Sequence, residues 1–308
     1  MTVFEALQWA SGKLKPHAES AMLDAEVLLG HALGLPKAWV FSHFEYELKP
    51  YEADRFASSV ARRMKREPVA HIIGQKEFYG RKFRVTPATL IPRPETELLV
   101  EHALRASYPS PLEGEGMGEV SRDKDMGDVL FADIGTGSGA IAISLAAESG
   151  FPAVATDVSR EALAVAKSNA EALGVSDKVD FRLGNLLEPV TAIFKKLGDA
   201  SPVTHLVICA NLPYLTAEQV ACTDADVKDF EPHSALVAGE DGLSCYWQLF
   251  RQLKQNRGLF PARVTALIEI DPSQRDKAVA LITHDFPAAK PEVLKDLAGL
   301  DRVIFADL

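Results

Sequence analysis

The residues best suited to chemistry lie in one short loop of the chain. An Asn-Leu-Pro-Tyr sequence occupies positions 211–214 and follows an apolar run, 204–208, that predicts a buried strand. In open α/β sheets, ligands bind beyond the carboxyl ends of the strands. The loop over 209–215 is therefore predicted to lie where a substrate would bind.

Each residue of this loop has a property that suits a planar nitrogen group. The side-chain oxygen of Asn211 and the carbonyl oxygen of Leu212 can accept the two hydrogens of an NH2 group. Pro213 favours an extended conformation at Leu212, which would help to aim that carbonyl. The ring of Tyr214 offers a flat face to an amide or a base. The loop is predicted to be catalytic and to bind the substrate, although its residues also suit a simple turn after a strand.

A glycine-rich turn, followed by an acid, predicts a cofactor that contains a nucleoside. Gly135, Gly137 and Gly139 follow a predicted strand. Asp133 lies in that strand, and Asp157 ends the next one, about twenty residues on. Such a turn lets a ligand approach the backbone, and such an acid can bind ribose hydroxyls. NAD sites share this logic but require the spacing G-x-G-x-x-G, whereas the spacing here resembles that of class I S-adenosylmethionine-dependent methyltransferases.

The elements that must position these residues alternate between strand and helix from about residue 128 onwards. This alternation predicts an α/β fold with a mostly parallel sheet covered on both faces. The predicted strands are 129–134, 153–156, 179–182, 204–208 and 264–270. A closing pair, 292–294 and 302–305, is joined by a short connection and predicts an antiparallel terminal hairpin.

The predicted domain boundaries follow changes in the apolar period. Residues 1–72 predict a small bundle of three short amphipathic helices, the first with Thr2 and Glu5 at the spacing of a capping box. Residues 73–92 predict a linking β-hairpin with its turn at Gly80 and Arg81. The catalytic domain is predicted to span 93–308. Within it, residues 106–127 are rich in proline, glycine and charge, and predict a flexible surface insertion.

Composition and charge exclude several classes of function. A net charge of -10 over 308 residues argues against a protein that wraps duplex nucleic acid. The basic cluster of Arg62, Arg63, Lys65 and Arg66 is interpreted as a solvated helix end, not as a partner contact. The three cysteines form no CxxC pair and the histidines no HExxH pair, so we expect reduced thiols in the cytoplasm and no metal. No apolar run is long enough to span a bilayer and no signal pattern is present, so we expect no membrane association.

Longer motifs make the chain resemble one methyltransferase family over nearly its whole length. The family is the protein-(glutamine-N5) methyltransferases of peptide chain release factors, the PrmC/HemK type. The most discriminating motif is the Arg-Pro-Glu-Thr-Glu segment at 93–97, which most S-adenosylmethionine enzymes lack. The other similar segments are 67–74, 77–80, 90–92, 135–139, Asp157, 211–215, 231–232, 235–236 and 239–243.

The resemblance implies a fold, a reaction and a partner. It implies a Rossmann-like catalytic domain that transfers a methyl group from S-adenosylmethionine to the glutamine of the Gly-Gly-Gln motif in release factors. The N-terminal helices are expected to help dock the release factor, and no stable direct binding of nucleic acid is expected. Arg93 and Glu95 are candidates for shaping the substrate pocket. The residues predicted to bind the cofactor are Asp133, Gly135, Thr136, Gly137, Ser138, Gly139, Asp157, Asn185, Leu186 and Asn211.

The chain departs from the family pattern at three positions and leaves rival functions open. Leu212 stands where the family usually has proline, but it retains the carbonyl that would act. Asn185 replaces a common aspartate, which predicts weaker cofactor binding, and Leu186 replaces the aromatic residue near the adenine. Asn-Leu-Pro-Tyr also occurs in ribosomal RNA adenine dimethyltransferases, so a ribosomal-protein glutamine or the N6 of adenine in RNA stay alternatives. A nicotinamide oxidoreductase would need the other glycine spacing, and a non-catalytic translation-factor adaptor would need a degraded cofactor site.

Overall fold

The computed structural model describes residues 1–108 and 128–308, which form two compact units. The first unit comprises Met1–Lys76, Val85–Pro87 and Thr223–Glu231, and the second comprises Glu77–Arg84, Ala88–Cys222 and Pro232–Leu308. The predicted insertion at 106–127 lies outside the described residues from position 109 to its end.

The first unit is built mainly of helices. Its N-terminal part contains α1 (Val3–Leu14), α2 (Ala21–Leu33), α3 (Lys37–Ser42), α4 (Pro50–Met64) and α5 (Val69–Ile73). The sequence predicted three helices; α3 and α5, with six and five residues, are too short to show an apolar period. Helix α1 begins with the predicted capping box, in which the Thr2 hydroxyl accepts from the Glu5 N–H and the Glu5 carboxylate from the Thr2 N–H. Apolar side chains such as Leu14, Leu28 and Phe56 are fully buried between α1, α2 and α4.

The interpretation of the basic cluster as a solvated helix end is wrong for Arg63, whereas Arg62 and Lys65 are exposed. Arg63 is buried, and its guanidinium donates to Asp24 and to Asp226, which belongs to the segment Thr223–Glu231 of the same unit. Arg66 forms an ion pair with Asp226, and Arg62 with Glu67. The two carboxylates that bind Arg63 lie 39 and 163 residues away in the chain. Local sequence could not show this pairing.

The second unit is a seven-stranded sheet flanked by helices. The remaining elements, in chain order, are β1 (Gln75–Phe78), β2 (Arg81–Arg84), α6 (Glu97–Ser107), β3 (Asp128–Ile134), α7 (Ala140–Ser149), β4 (Ala153–Asp157), α8 (Arg160–Ala172), β5 (Val179–Leu183), α9 (Glu188–Leu197), β6 (Val203–Ala210), α10 (Ala217–Cys222), α11 (Ala225–Lys228), α12 (Ser244–Gln255), β7 (Arg263–Glu269), α13 (Arg275–Asp285), β8 (Glu292–Lys295) and β9 (Asp301–Asp307). Of these elements, α11 belongs to the first unit. The sheet order is β5-β4-β3-β6-β7-β9-β8, parallel from β5 to β7. Strand β9 runs antiparallel to both β7 and β8, so the predicted fold class is confirmed, terminal hairpin included.

The central strands are buried on both faces. In β3, Leu130, Ala132 and Ile134 point into one apolar layer, while Val129 and Phe131 point into the other. This follows from the two-residue period of a strand, and it explains why these strands appear in the sequence as continuous apolar runs. Within residues 1–108 and 128–308, none of the helices has the length and apolar character that crossing a bilayer would require.

Two boundaries differ from the predictions. Strand β6 continues to Ala210, so Cys209 and Ala210 belong to the strand and the loop begins at Asn211. The turn between β1 and β2 consists of Tyr79 and Gly80, with φ of 47° and 69°, and not of the predicted Gly80 and Arg81. Positive φ at both central residues matches the twist of a two-residue hairpin.

Candidate active site

A cleft of about 420 Å³ lies at the carboxyl ends of β3, β4, β5 and β6, within the second unit. This volume is within the range of small-molecule sites. The predicted site residues that line the cleft are Gly135, Thr136, Gly137, Ser138, Asp157, Asn185, Leu186, Asn211, Leu212 and Pro213. The predicted residues Asp133, Gly139, Tyr214, Arg93 and Glu95 do not form part of its lining. The fold therefore brings the glycine turn and the Asn-Leu-Pro part of the loop to one space.

The glycine turn is in direct contact with the Asn-Leu-Pro-Tyr loop. At Gly135 the backbone φ is +75°, and a Cβ there would lie 2.8 Å from Cδ2 of Leu212. At Gly139 φ is +84°, and a Cβ would lie 2.7 Å from Cδ1 of Ile143. Both positions therefore require glycine, one for the approach of Leu212 and one for the packing of α7.

Asp133 stabilises the glycine turn through hydrogen bonds. Its carboxylate accepts from the Thr136 hydroxyl at 2.6 Å and from the Ala142 N–H at 3.0 Å, both through Oδ2. The residue is fully buried, and this desolvation raises the pKa of Asp133 to about 6, although the two hydrogen bonds oppose the rise. Its Oδ1 is buried without a donor among the described residues. Asp133 thus fixes the turn, and its predicted contact with a cofactor stays a prediction.

Asp157 joins the turn to the start of α8. Its Oδ2 accepts from the Gly137 N–H at 2.9 Å, and its Oδ1 accepts from the Ser159 N–H at 2.8 Å. Each carboxylate oxygen retains a second lone pair, and the residue faces the cleft. The side chain is therefore held in one orientation in which it can still accept hydroxyl protons from a ribose.

Asn185 lies in a bend that the backbone of the next residue stabilises. Leu186 has a φ of +52°, which is uncommon for a leucine, and its carbonyl accepts from the Thr156 hydroxyl at 3.0 Å. Asn185 and Leu186 both line the cleft, beside Gln248 of α12.

Asn211 presents an unbonded oxygen at the cleft. Its Nδ2 donates to Oγ1 of Thr96 at 2.9 Å, while its Oδ1 is buried and has no donor among the described residues. The N–H of Leu212 donates to the hydroxyl of Tyr246 at 3.1 Å, and Tyr246 is fully buried. The loop is therefore held through both a side-chain and a backbone group, and Oδ1 of Asn211 is left without a donor among the described residues.

Tyr214 has its hydroxyl turned to a buried acid. This hydroxyl donates to Oε1 of Glu269 at 3.2 Å, and the carbonyl of Tyr214 accepts from Nε2 of Gln274 at 2.7 Å. Oε2 of Glu269 accepts from the Thr96 hydroxyl at 2.7 Å. Burial raises the pKa of Glu269 to about 7, and the hydrogen bond from Thr96, the positive charge of Arg302 and the hydrogen bond from Tyr214 limit the rise. The predicted stacking of Tyr214 on a substrate amide stays a prediction.

The Arg-Pro-Glu-Thr-Glu segment contributes a different residue from those predicted. Glu95 is exposed and Arg93 is half-buried, and neither lines the cleft. Thr96, between the two acids, is buried and does line it. Glu97 caps the hairpin, because its carboxylate accepts from the N–H of Tyr79 at 2.8 Å.

Sequence reasoning missed four residues that hold the loop: Thr96, Tyr246, Glu269 and Gln274. One signal was available, since Glu269 follows the apolar run of β7 and so lies at the carboxyl end of a sheet strand. The other three lie in helical segments whose sequences do not indicate which way their polar groups point.

Two family models match the chain. One is described as the PrmC N-terminal domain and matches residues 5–74, and the other is described as a methyltransferase domain and matches residues 127–285.

Curated relatives match over nearly the full length. The release factor glutamine methyltransferase of Bacillus subtilis (strain 168) is 38% identical over 306 residues, which is 99% of this chain and 97% of that protein. That of Cereibacter sphaeroides is 37% identical over 293 residues, 94% of this chain and 92% of that protein. Among solved structures, the hMettl16 catalytic domain in complex with MAT2A 3'UTR hairpin 1 has a TM-score of 0.50 at 15% identity, covering 98% of this chain and 90% of that chain. The last likeness concerns the fold alone.

Proposed function

The chain belongs to the family of release factor glutamine methyltransferases, and from this premise we propose its substrate and its site. It is a methyltransferase that transfers a methyl group from S-adenosylmethionine to the side-chain amide nitrogen of a glutamine in peptide chain release factors. The glutamine is that of the Gly-Gly-Gln motif. Asn211, Leu212, Pro213 and Tyr214 form the catalytic loop.

The residues of the cleft fit S-adenosylmethionine. Gly137 lines the cleft with a φ of +55° and open space where a Cβ would lie, so a ligand can approach its backbone. Asp157 is fixed by two backbone N–H groups and keeps lone pairs for the ribose hydroxyls. Asn185 can meet the adenine amino group with its side-chain oxygen. When bound, S-adenosylmethionine supplies a methyl group activated by a sulfonium.

The loop's part in catalysis is to orient a poor nucleophile. The lone pair of an amide nitrogen is delocalised into its carbonyl, so the nitrogen reacts only when it is aimed at the methyl carbon. Oδ1 of Asn211 and the carbonyl of Leu212 accept one hydrogen each from the glutamine NH2 and fix its plane. Positive charge develops on this nitrogen during transfer, and both acceptor oxygens stabilise it. The proton leaves after transfer, when the nitrogen is far more acidic, so the site needs no strong base.

One observation carries this proposal: Oδ1 of Asn211 is buried at the cleft and lacks a donor among the described residues. A buried acceptor without a partner costs about 1–3 kcal/mol. A substrate that brings an N–H to this oxygen recovers that cost on binding, whereas a substrate without one does not.

The test is transfer of a labelled methyl group to a purified release factor. We expect one labelled methyl per factor, located by peptide mass spectrometry on the glutamine of Gly-Gly-Gln. The matched control is the same factor with alanine in place of that glutamine, which should accept none. Label that appears instead on a ribosomal protein, or on adenine in RNA, would contradict the proposed substrate.

A further inference from the structure

We propose that Thr96 and Glu269 are positioning residues that set which end of the Asn211 carboxamide faces the substrate. This inference rests on the proposed function, in which the oxygen of that carboxamide accepts a hydrogen from the glutamine amide. An asparagine side chain has an oxygen and an NH2 group of nearly the same shape, so packing alone does not choose between its two orientations.

The three residues form a chain of hydrogen bonds with a defined direction. Nδ2 of Asn211 lies 2.9 Å from Oγ1 of Thr96, and Oγ1 of Thr96 lies 2.7 Å from Oε2 of Glu269. Thr96 is 3% exposed and Glu269 is 1% exposed, so solvent does not replace either contact. The other carboxylate oxygen of Glu269 accepts from the hydroxyl of Tyr214, whose own carbonyl is bonded to Gln274.

The single hydroxyl proton of Thr96 fixes the direction of both hydrogen bonds in this chain. An ionised carboxylate can only accept, so Thr96 must give its single hydroxyl proton to Glu269. The Thr96 oxygen can then only accept from Asn211, which must turn its NH2 group towards Thr96. Oδ1 is left on the side away from Thr96, buried and without a donor among the residues that the structure describes, and Asn211 itself lines the cleft.

Reversing the carboxamide would abolish its use in catalysis. With Nδ2 towards the substrate, two NH2 groups would face each other, and neither has a lone pair to accept with. Glu269 thus acts on the reaction from two hydrogen bonds away, without contacting the substrate.

The experiment compares three threonine variants. Thr96→Val removes the hydroxyl while keeping the branched shape, and Thr96→Ser keeps the hydroxyl. Thr265→Val is the matched control: Thr265 is buried near the start of the same strand that ends at Glu269, and its hydroxyl also donates to a carboxylate (Asp307) and contacts a second polar side chain (His205).

We expect Thr96→Val to lower kcat by about 30- to 100-fold, the scale of a misaligned reacting group. KM for the release factor and Kd for S-adenosylmethionine should change by less than about threefold, because the hydroxyl is not proposed to hold either ligand. Thr96→Ser should retain kcat within about threefold, and Thr265→Val should be close to wild type. A kcat for Thr96→Val within threefold of wild type would overturn the proposal, as would equal losses in Thr96→Val and Thr96→Ser or in Thr265→Val.

Glu269→Gln tests the acid itself. A glutamine can turn either its oxygen or its NH2 group towards Thr96, so the direction of the chain is no longer fixed, and we expect a kcat below that of the wild type. A folded Glu269→Gln variant with wild-type kcat would contradict the inference.

A readout without any substrate separates this inference from the proposed function. The side-chain NH2 signal of Asn211, assigned by its loss in Asn211→Ala, should exchange slowly with solvent in the wild type. It should lose that protection in Thr96→Val and keep it in Thr96→Ser. This outcome would support the hydrogen-bond chain even if no release factor accepted a methyl group. An unchanged signal in Thr96→Val would overturn the chain even if methyl transfer were robust.

Discussion

Two buried carboxylate sites in this molecule differ in how their charge is compensated. In the helical unit, Arg63 lies between Asp24 and Asp226, with side chains 8%, 10% and 22% exposed. In the catalytic unit, Glu269 is bonded to two neutral hydroxyls, with the guanidinium of Arg302 near enough to act only through its charge. In the first site the carboxylates are paired with a guanidinium, and in the second the carboxylate is stabilised mainly by the dipoles of two hydroxyl groups.

This difference matches two different roles: the Arg63 site stabilises the fold, whereas the Glu269 site is proposed to orient a reacting side chain. In the first site the guanidinium of Arg63 holds two carboxylates, and none of these three residues lines the cleft. Glu269, whose pKa is raised to about 7, is linked through Thr96 to Asn211, whose side-chain oxygen has no donor among the described residues.

The largest effect is expected at the end of the catalytic chain of bonds. Asn211→Ala removes the acceptor that orients the glutamine amide, so we expect turnover to fall by about 1000-fold or more. Single-turnover methyl transfer at saturating cofactor measures this, and calorimetry should show a cofactor affinity within about threefold of wild type. Turnover near the wild-type rate would remove Asn211 from the mechanism.

The next effect concerns the ion-paired site. Arg63→Met leaves Asp24 without its cation and Asp226 with Arg66 alone, and we expect the free energy of unfolding to fall by about 3 kcal/mol. Urea titration followed by tryptophan fluorescence measures it, since Trp9 and Trp39 lie in the helical unit. Lys37→Met is the control, because the Lys37 side chain is 41% exposed in its pair with Glu26 and its loss should matter little. Equal destabilisation by the two variants would contradict the distinction between the sites.

A smaller effect is expected at the cofactor side of the cleft. Asp157→Ala removes the acceptor for ribose hydroxyls and the bond to the Gly137 N–H, so we expect S-adenosylmethionine to bind about 10- to 100-fold more weakly. Asp157→Asn keeps one acceptor oxygen and should lie between this variant and the wild type. Calorimetric titration with S-adenosylmethionine measures both. An unchanged Kd in Asp157→Ala would exclude Asp157 from the cofactor site.

The smallest effect is that of pH on turnover. The groups that face Glu269 are Thr96, Tyr214, Arg302 and Glu95, and Arg93 also acts on Tyr214. Since the required form is ionised and its pKa is about 7, kcat should fall roughly tenfold from pH 8 to pH 6. The raised pKa also means that stability falls as the pH rises from about 4.5 to 7, because the folded protein must give up a proton that it binds more tightly than the unfolded chain.

The control for this pH dependence is Glu269→Gln, which cannot titrate. Its kcat should be low and nearly flat over the same range. A profile that keeps the wild-type slope in Glu269→Gln would assign the titration to another group, of which Asp133, with a pKa raised to about 6, is the first to test.

Much of the candidate site was predictable because each of its parts lies at the end of a predicted strand. The glycine turn, Asp157, Asn185 and the Asn211 loop each follow an apolar run, and parallel strands bring their carboxyl ends to one edge. The predictions failed where partners are distant. The local sequence indicates only that Arg63 is a cation at a helix end. In the folded chain it donates to Asp226, which lies 163 residues further on.

The pattern of the chain alone predicts the succession of the strands, the glycine spacing that favours one cofactor, and the candidate loop that carries a carboxamide. These follow from periods and spacings, which are properties of neighbours in the chain. Only the tertiary structure decided which way that carboxamide faces, because the choice depends on Thr96 and Glu269, which lie 115 residues before and 58 residues after Asn211 in the numbering. Which group donates in a hydrogen bond depends on the donors and acceptors of all its neighbours, and only folding brings those neighbours together.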